Sequence, residues 1–340
     1  MAARTPLSIG VVGAGEVVRR SHLPVLVNLP DARVIWICDS RHERAKAIGK
    51  AYRIPAVRSL PLSELPKCDV ALLAIPVDAR RDYLCHFAQT GTAVLCEKPF
   101  AMTAQAHRDL LKSFPPHALG CGFMRRFYKS TVLLRHMIAA GTLGPARKIQ
   151  VSEGNRSKGS GADSSFLDDP RLRGISRGVL MDLGSHALDL ALFVCGVERF
   201  EITSSVKELD GAVDRKVAAR ATLHRPAGGG NDSLELDFSV SWLDRQTNQI
   251  RIRFDHATVW SELGVAGNVF LGDPDRPGES ILLTSPLPGA TTFNQAFHLE
   301  WTSFLDGIRE GRESLVSARS ALLTTDIAEQ ILAAPDRSRG

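Results

Sequence analysis

Residues 8–15, Ser8-Ile9-Gly10-Val11-Val12-Gly13-Ala14-Gly15, decide how this chain is read. A short apolar run closes on two glycines, and the pattern after it is helical to about Asn28. A strand that turns into a helix through Gly-x-Gly has a tight bend that a ligand must approach closely, and glycine permits both. The N–H groups at the start of such a helix suit the pyrophosphate of a dinucleotide. Gly13, Gly15, Glu16, Val17 and Val18 are therefore the expected phosphate-side residues. Val18 stands where the usual fingerprint has a third glycine, and a glycine turn without any ligand is the competing account.

The alternation continues outward from this turn. Residues 33–38 (RVIWIC), 69–75 (DVALLAI) and 93–96 (AVLC) are near-continuous apolar runs, with helical patterns over 42–52, 79–90 and 103–113 and a further strand at 117–123. Apolar strands separated by helices imply a parallel sheet buried on both faces. A doubly wound Rossmann domain over residues 1–123 is the expectation. Asp39 ends the second strand, where a carboxylate accepts hydrogen bonds from the adenosine ribose, with Ser40 and Arg41 beside it. A helix cap or turn is the alternative role for Asp39. A carboxylate there disfavours a 2′-phosphate and points to NAD, whereas Arg41 can attract that phosphate, so NADP stays open. Ile75-Pro76 and Glu97-Lys98 sit at the C-terminal ends of core strands, where doubly wound folds bind ligands.

Past residue 124 the pattern changes. A helix is expected over 129–140 and a strand over 146–153, followed by a polar stretch, 154–177, and an apolar helix, 178–195. Leu234 to Trp242 and Ile250 to Asp255 alternate strictly, as antiparallel strands with one apolar face do. Paired as a hairpin around Arg245, they would bring Asp237 near Arg253. Helices over 292–310 and 317–334 close a second α/β domain, 124–335, built on a large, mainly antiparallel open sheet, and 336–340 is expected to fray.

Composition bounds the function. Of 340 residues, 44% are hydrophobic and 23% charged, which excludes a disordered chain or a fibre. The net charge of +5 comes from 42 Lys+Arg against 37 Asp+Glu without any clustered basic run, so no nucleic-acid partner is expected. No apolar run approaches the roughly 18 residues of a membrane helix, and no separate leader precedes the first strand, so a cytoplasmic protein is expected. Cysteines 38, 68, 85, 96, 121 and 195 form no C-x-x-C pair and read as buried thiols rather than metal ligands.

Four stretches together resemble the Gfo/Idh/MocA oxidoreductase family. They are G-A-G-E-V-V at 13–18 with His22-Leu23-Pro24, C-E-K-P at 96–99, G-F-M-R-R-F at 122–127, and G-V-L-M-D-L-G-S-H-A-L-D at 178–189. They follow the family's order over nearly the whole chain. The resemblance implies a homodimer or homotetramer and hydride transfer between nicotinamide and a sugar, polyol, sugar acid or nucleotide-sugar-like substrate. By position, it implies Lys98, Asp182 and His186 as the catalytic group. Asp182 and His186, four apart on the expected helix, share a face, and a histidine suits proton transfer near neutral pH. Asp189 lies on the same face, where capping or a salt bridge explains it as well. Arg80, where many members have His, and Arg177, in place of a Gly-rich lead, add positive charge. Arg126, Arg156 and Arg177 are the expected substrate-binding residues and hint at an anionic substrate, with solvated surface charge as the alternative. NAD-dependent glycoside cleavage through transient oxidation and dinucleotide sensing without turnover are the competing functions.

Overall fold

The apolar runs of the first half form β1 (Leu7–Val12), β2 (Ala32–Cys38), β3 (Val70–Leu73), β4 (Ala93–Glu97) and β5 (Leu119–Gly122). All pair in parallel, in the order β2-β1-β3-β4-β5. These features come from a computed structural model that describes residues 5–59, 61–155, 178–226, 233–264, 267–273 and 275–335. A π-helical turn, Val18–His22, leads into α1 (Leu23–Leu26), and α2 (His42–Tyr52), α3 (Arg81–Thr90) and α4 (Ala104–Leu111) supply the crossovers. Gly10 is glycine for a packing reason. A Cβ there would lie 2.1 Å from the Trp36 indole, which rests on the β1 backbone and donates from Nε1 to Pro66 O at 2.9 Å.

The second half begins with α5 (Lys129–Ala140) and β6 (Ala146–Gly154). A second π-helical turn, Leu180–Gly184, runs into α6 (Ser185–Cys195). Then follow β7 (Arg199–Asp210), β8 (Val213–His224), β9 (Ser233–Ser241), β10 (Gln249–Phe254), β11 (Thr258–Glu262), β12 (Val269–Leu271) and β13 (Ile281–Leu283). With β6 they make an eight-stranded sheet, β13-β12-β11-β10-β6-β9-β8-β7, antiparallel except where β6 meets β9. Ile149, Val151, Leu223, Leu236, Phe238, Val240 and Ile252 form its buried face. Helix packing is close there, since a Cβ on Gly184 would lie 2.8 Å from Leu180 and 3.3 Å from Phe238.

The expected hairpin of β9 and β10 does not form. β6 lies between them, with Gln150 opposite both Asp237 and Arg251. Asp237 pairs with Lys148 at 3.1 Å rather than with Arg253. Alternation selects a strand's face but not its neighbour, and β6 carries the same alternation. The connection crosses the end of β6 through Asn248 (φ +53), whose side chain accepts from Gly154 N at 2.9 Å and donates to Gly154 O at 3.3 Å.

The chain divides into two units, Met1–Phe127 with Ala290–Leu322, and Tyr128–Gly289 with Leu323–Gly340. The segment Ala290–Leu322, expected in the second domain, thus packs with the first. It carries α7 (Phe293–Glu310), which starts at a capping box between Thr292 and Gln295 and ends at Gly311. Gly120 of β5 makes room for Phe304, to which a Cβ would come within 2.9 Å. Downstream, Val316 O accepts from Cys121 N and Ala318 N donates to Leu119 O, both at 2.8 Å, extending the edge of the first sheet. In the second unit, Lys207 of β7 caps the C-terminus of α8 (Leu322–Ala333) by donating to Leu332 O at 2.7 Å and Ala334 O at 2.6 Å. Among the described residues no helix is long and apolar enough to cross a membrane.

Candidate active site

In the first unit the turn after β1 has the form a dinucleotide needs. Gly13 sits at φ +105, and a Cβ there would meet Ala74 O at 2.4 Å and Ile75 Cγ2 at 3.1 Å. Nothing lies within 4 Å of a Cβ built on Gly15, so its backbone is open to a ligand. Asp39 comes up from β2 to brace this loop. Its Oδ2 accepts from Ala14 N and its Oδ1 from Arg41 N, each at 2.7 Å. Each carboxylate oxygen keeps a lone pair, so the brace and the ribose acceptor are compatible roles. Ser40 and Arg41 are exposed beside it. Glu16 is exposed and paired with Arg19 at 2.7 Å, Val17 is half-buried, and Val18 is fully buried. Val18 therefore fills the core where a third glycine would allow closer packing. The open Gly15 backbone, the Cβ-free cradle at Gly13 and the ionisable group at Asp39 fit NAD.

Lys98 follows β4 in a turn held from several directions. Its N–H donates to Glu97 Oε2 at 3.1 Å, and its peptide bond to Pro99 is cis. Glu97 Oε1 accepts from His22 Nε2 at 2.8 Å, and Trp301 Nε1 donates to His22 Nδ1 at 3.0 Å. Burial pushes the Glu97 carboxyl up, but the His22 hydrogen bond with the nearby Lys98 and Arg80 charges outweighs it and holds the group below its ordinary value. Arg80 is buried. It donates from Nε to Ile75 O at 2.8 Å and from one terminal nitrogen to Pro99 O at 2.6 Å and to Glu97 O. It is a clamp across the ends of β3 and β4, so its charge is committed to backbone carbonyls and does not argue for an anionic substrate. Ile75 and Pro76 lie half-buried at the same ends.

In the second unit, Asp182 lies in the π-helical turn and His186 in the first turn of α6, both half-buried. π-helical turns often mark functional positions. The start of this helix is set by Asp214 of β8, which is buried and accepts from Leu180 N at 2.8 Å. A Cβ on Gly178 would lie 1.6 Å from Asp214 Oδ1, so the carboxylate occupies the space a side chain would take. Burial pushes the Asp214 carboxyl up, against the Leu180 hydrogen bond. Asp189 is buried and accepts from Thr324 Oγ1 at 3.2 Å, which makes it part of the packing.

Of the expected substrate-binding residues, Arg156 and Arg177 lie outside the described residues. Arg126 is held inside the first unit. It is buried, donates to Leu315 O at 2.6 Å and Ser320 Oγ at 2.7 Å, and lies 5.4 Å from the Phe123 ring centroid. Its guanidinium latches β5 to the segment after α7. Lys98 belongs to the first unit, and Asp182 and His186 to the second. Sequence reasoning passed over Trp301 and Asp214 because a polar group's partner is invisible until the fold brings it near. His22 entered only as a letter of a motif.

Comparison with known proteins agrees with this geometry. Residues 7–118 match a family model described as an oxidoreductase family with an NAD-binding Rossmann fold, and residues 131–259 match the GFO/IDH/MocA C-terminal domain. The chain belongs to the GFO/IDH/MocA family. Among characterised relatives, D-glucoside 3-dehydrogenase of Escherichia coli is 29% identical over 56% of this chain and 55% of its own length. Inositol 2-dehydrogenase of Rhizobium meliloti is 27% identical over 59% of this chain and 58% of its own length. The chain thus spans little more than half of either relative. Aldose-aldose oxidoreductase from Caulobacter crescentus, complexed with glycerol, shares the fold with a TM-score of 0.79 at 19% identity, covering 97% of both chains. The first unit thus carries the family's NAD-binding Rossmann fold, and the second carries a large, mostly antiparallel sheet.

Proposed function

We propose that this protein moves a hydride between NAD and a hydroxyl-bearing carbon of a sugar, polyol or related small molecule. The observation that carries the reading is the first unit's pairing of the open Gly13–Gly15 turn, braced by Asp39, with the clamped Glu97-Lys98 turn on strands of one sheet. The names of the relatives support the substrate class. Bound nicotinamide supplies the hydride acceptor or donor. His186 takes the hydroxyl proton in oxidation and returns it in reduction. Lys98 donates a hydrogen bond to the reacting oxygen and stabilises its developing charge. Asp182 orients the substrate. Asp39 favours NAD over NADP by occupying the side of the ribose where a 2′-phosphate would sit.

Arg80 and Arg126 are buried and donate to protein oxygens, which weakens the case for an anionic substrate and puts neutral polyols first. None of the six cysteines forms a disulfide, which suits a cytoplasmic setting. The polar face of the eight-stranded sheet is our candidate interface for a homodimer or homotetramer, and sedimentation as a monomer alone would contradict it.

The test is NADH formation from NAD with myo-inositol, methyl glucoside, gluconate and UDP-glucose, and NADH consumption with the corresponding keto compounds. Turnover with one or more is expected. Bound dinucleotide with no turnover in either direction would overturn the enzymatic reading.

A further inference from the structure

We propose that His22 and Trp301 are positioning residues that hold Lys98 in place for the reaction by fixing the Glu97 carboxylate. The inference rests on the role given to Lys98 above and concerns residues of the first unit alone. His22 and Trp301 are both fully buried. The indole N–H can only donate, so His22 Nδ1, 3.0 Å away, must accept and carries no hydrogen. The neutral ring then carries its hydrogen on Nε2, 2.8 Å from Glu97 Oε1. The opposite tautomer would set N–H against N–H and turn a lone pair toward a carboxylate. Trp301 thus selects the tautomer that Glu97 needs.

The ring has little freedom to turn. Phe297 meets it edge-on with centroids 4.9 Å apart, and Trp301 does the same at 5.9 Å. Glu97 receives two donors, His22 on Oε1 and Lys98 N on Oε2 at 3.1 Å, which fixes the rotation of its carboxylate. Glu300, the residue before Trp301 in α7, is also fully buried, and neither of its carboxyl oxygens has a hydrogen-bond partner. Burial, and then the charge of Glu97, push its carboxyl well above the ordinary range. A neutral Glu300 leaves the negative charge on Glu97, the carboxylate that His22 holds. The path therefore runs from α7 through His22 to the residue before Lys98.

The experiment uses the full chain with His22→Gln, His22→Leu and Trp301→Phe, each checked for cooperative thermal unfolding. Amide hydrogen exchange resolved residue by residue reads the Lys98 N–H directly, with the Glu97 N–H as its neighbour for comparison. Turnover of the fastest compound in the panel above and NADH affinity by fluorescence are measured alongside. In His22→Leu and Trp301→Phe, the Lys98 amide is expected to exchange about tenfold faster or more. Turnover should fall by about tenfold or more, with KM and NADH affinity within about threefold. His22→Gln is expected to restore both, because its amide accepts from the indole and donates to the carboxylate. Unchanged exchange in His22→Leu would overturn the proposal. So would His22→Gln behaving like His22→Leu, or uniform acceleration of all β4 amides. Lys98→Ala with full turnover would instead remove the role of Lys98 itself, and leaves the exchange result to be read separately.

Discussion

Single residues in this protein are defined by which of their atoms are already committed. Arg80 and Arg126 look like ligand-binding cations in the sequence, and in the structure Arg80 donates to Ile75 O and Pro99 O and Arg126 to Leu315 O and Ser320 Oγ. Asp39 braces the Gly13–Gly15 turn by accepting from Ala14 N and Arg41 N. The groups proposed to react are Lys98, Asp182 and His186, with the proton given to His186. His186→Ala is expected to lower turnover by about a hundredfold or more, the usual worth of a general acid–base group, while NADH affinity stays within about threefold. Steady-state kinetics with fluorescence titration checks both, and unchanged turnover would remove the assignment. At this scale the sequence was legible where a residue's role is local, as at Gly13 and Asp39. It was silent where the role depends on a distant partner, as for Trp301 with His22, 279 positions apart.

Secondary-structure elements were the most legible level, because periodicity and capping are local. The helices at 42–52 and 129–140 appear with the boundaries their patterns imply. Neighbour choice in the large sheet was not legible, since β6, β9 and β10 share one alternation and only the crossing at Asn248 decides between them. The return of α7 to the first unit was hidden for the same reason. Its partner Gly120 lies far away in sequence, and a lone glycine in a strand does not announce a phenylalanine above it. The helix carrying Asp182 and His186 gives an element-scale test. Gly178→Ala would force a methyl into the Asp214 carboxylate and displace the helix start. The expected outcome is a loss of about 1–3 kcal/mol in urea unfolding and a fall in turnover that exceeds the fall in NADH affinity. Equal loss of both would mean the helix start does not position the reacting groups.

Buried titratable groups tie the whole molecule to pH. Burial holds the His107 imidazole down at about 4 against an ordinary 6.5, while its Nε2 donates to Ala318 O at 2.9 Å and its ring lies 4.2 Å from that of Phe100. Between those values the unfolded chain binds a proton that the folded one does not. Stability therefore falls as pH drops from 6.5 toward 4, by at most about 1.4 kcal/mol per unit from this group. Glu300 works in the opposite sense. Its folded carboxyl stays protonated above the ordinary 4.5, so stability falls as pH rises from there toward its folded value. Urea unfolding across pH should show both limbs. His107→Gln should flatten the acid limb, and Glu300→Gln should flatten the alkaline one. A variant that leaves its limb unchanged would show that its group is not the source.

The central claim is that the first unit binds NAD through the Gly13–Asp39 turn, and calorimetric titration of the dinucleotide-free protein with NADH and NADPH tests it most directly. The account predicts that NADH binds, about tenfold or more tighter than NADPH, because the Asp39 carboxylate opposes a 2′-phosphate. Binding of neither dinucleotide would contradict it.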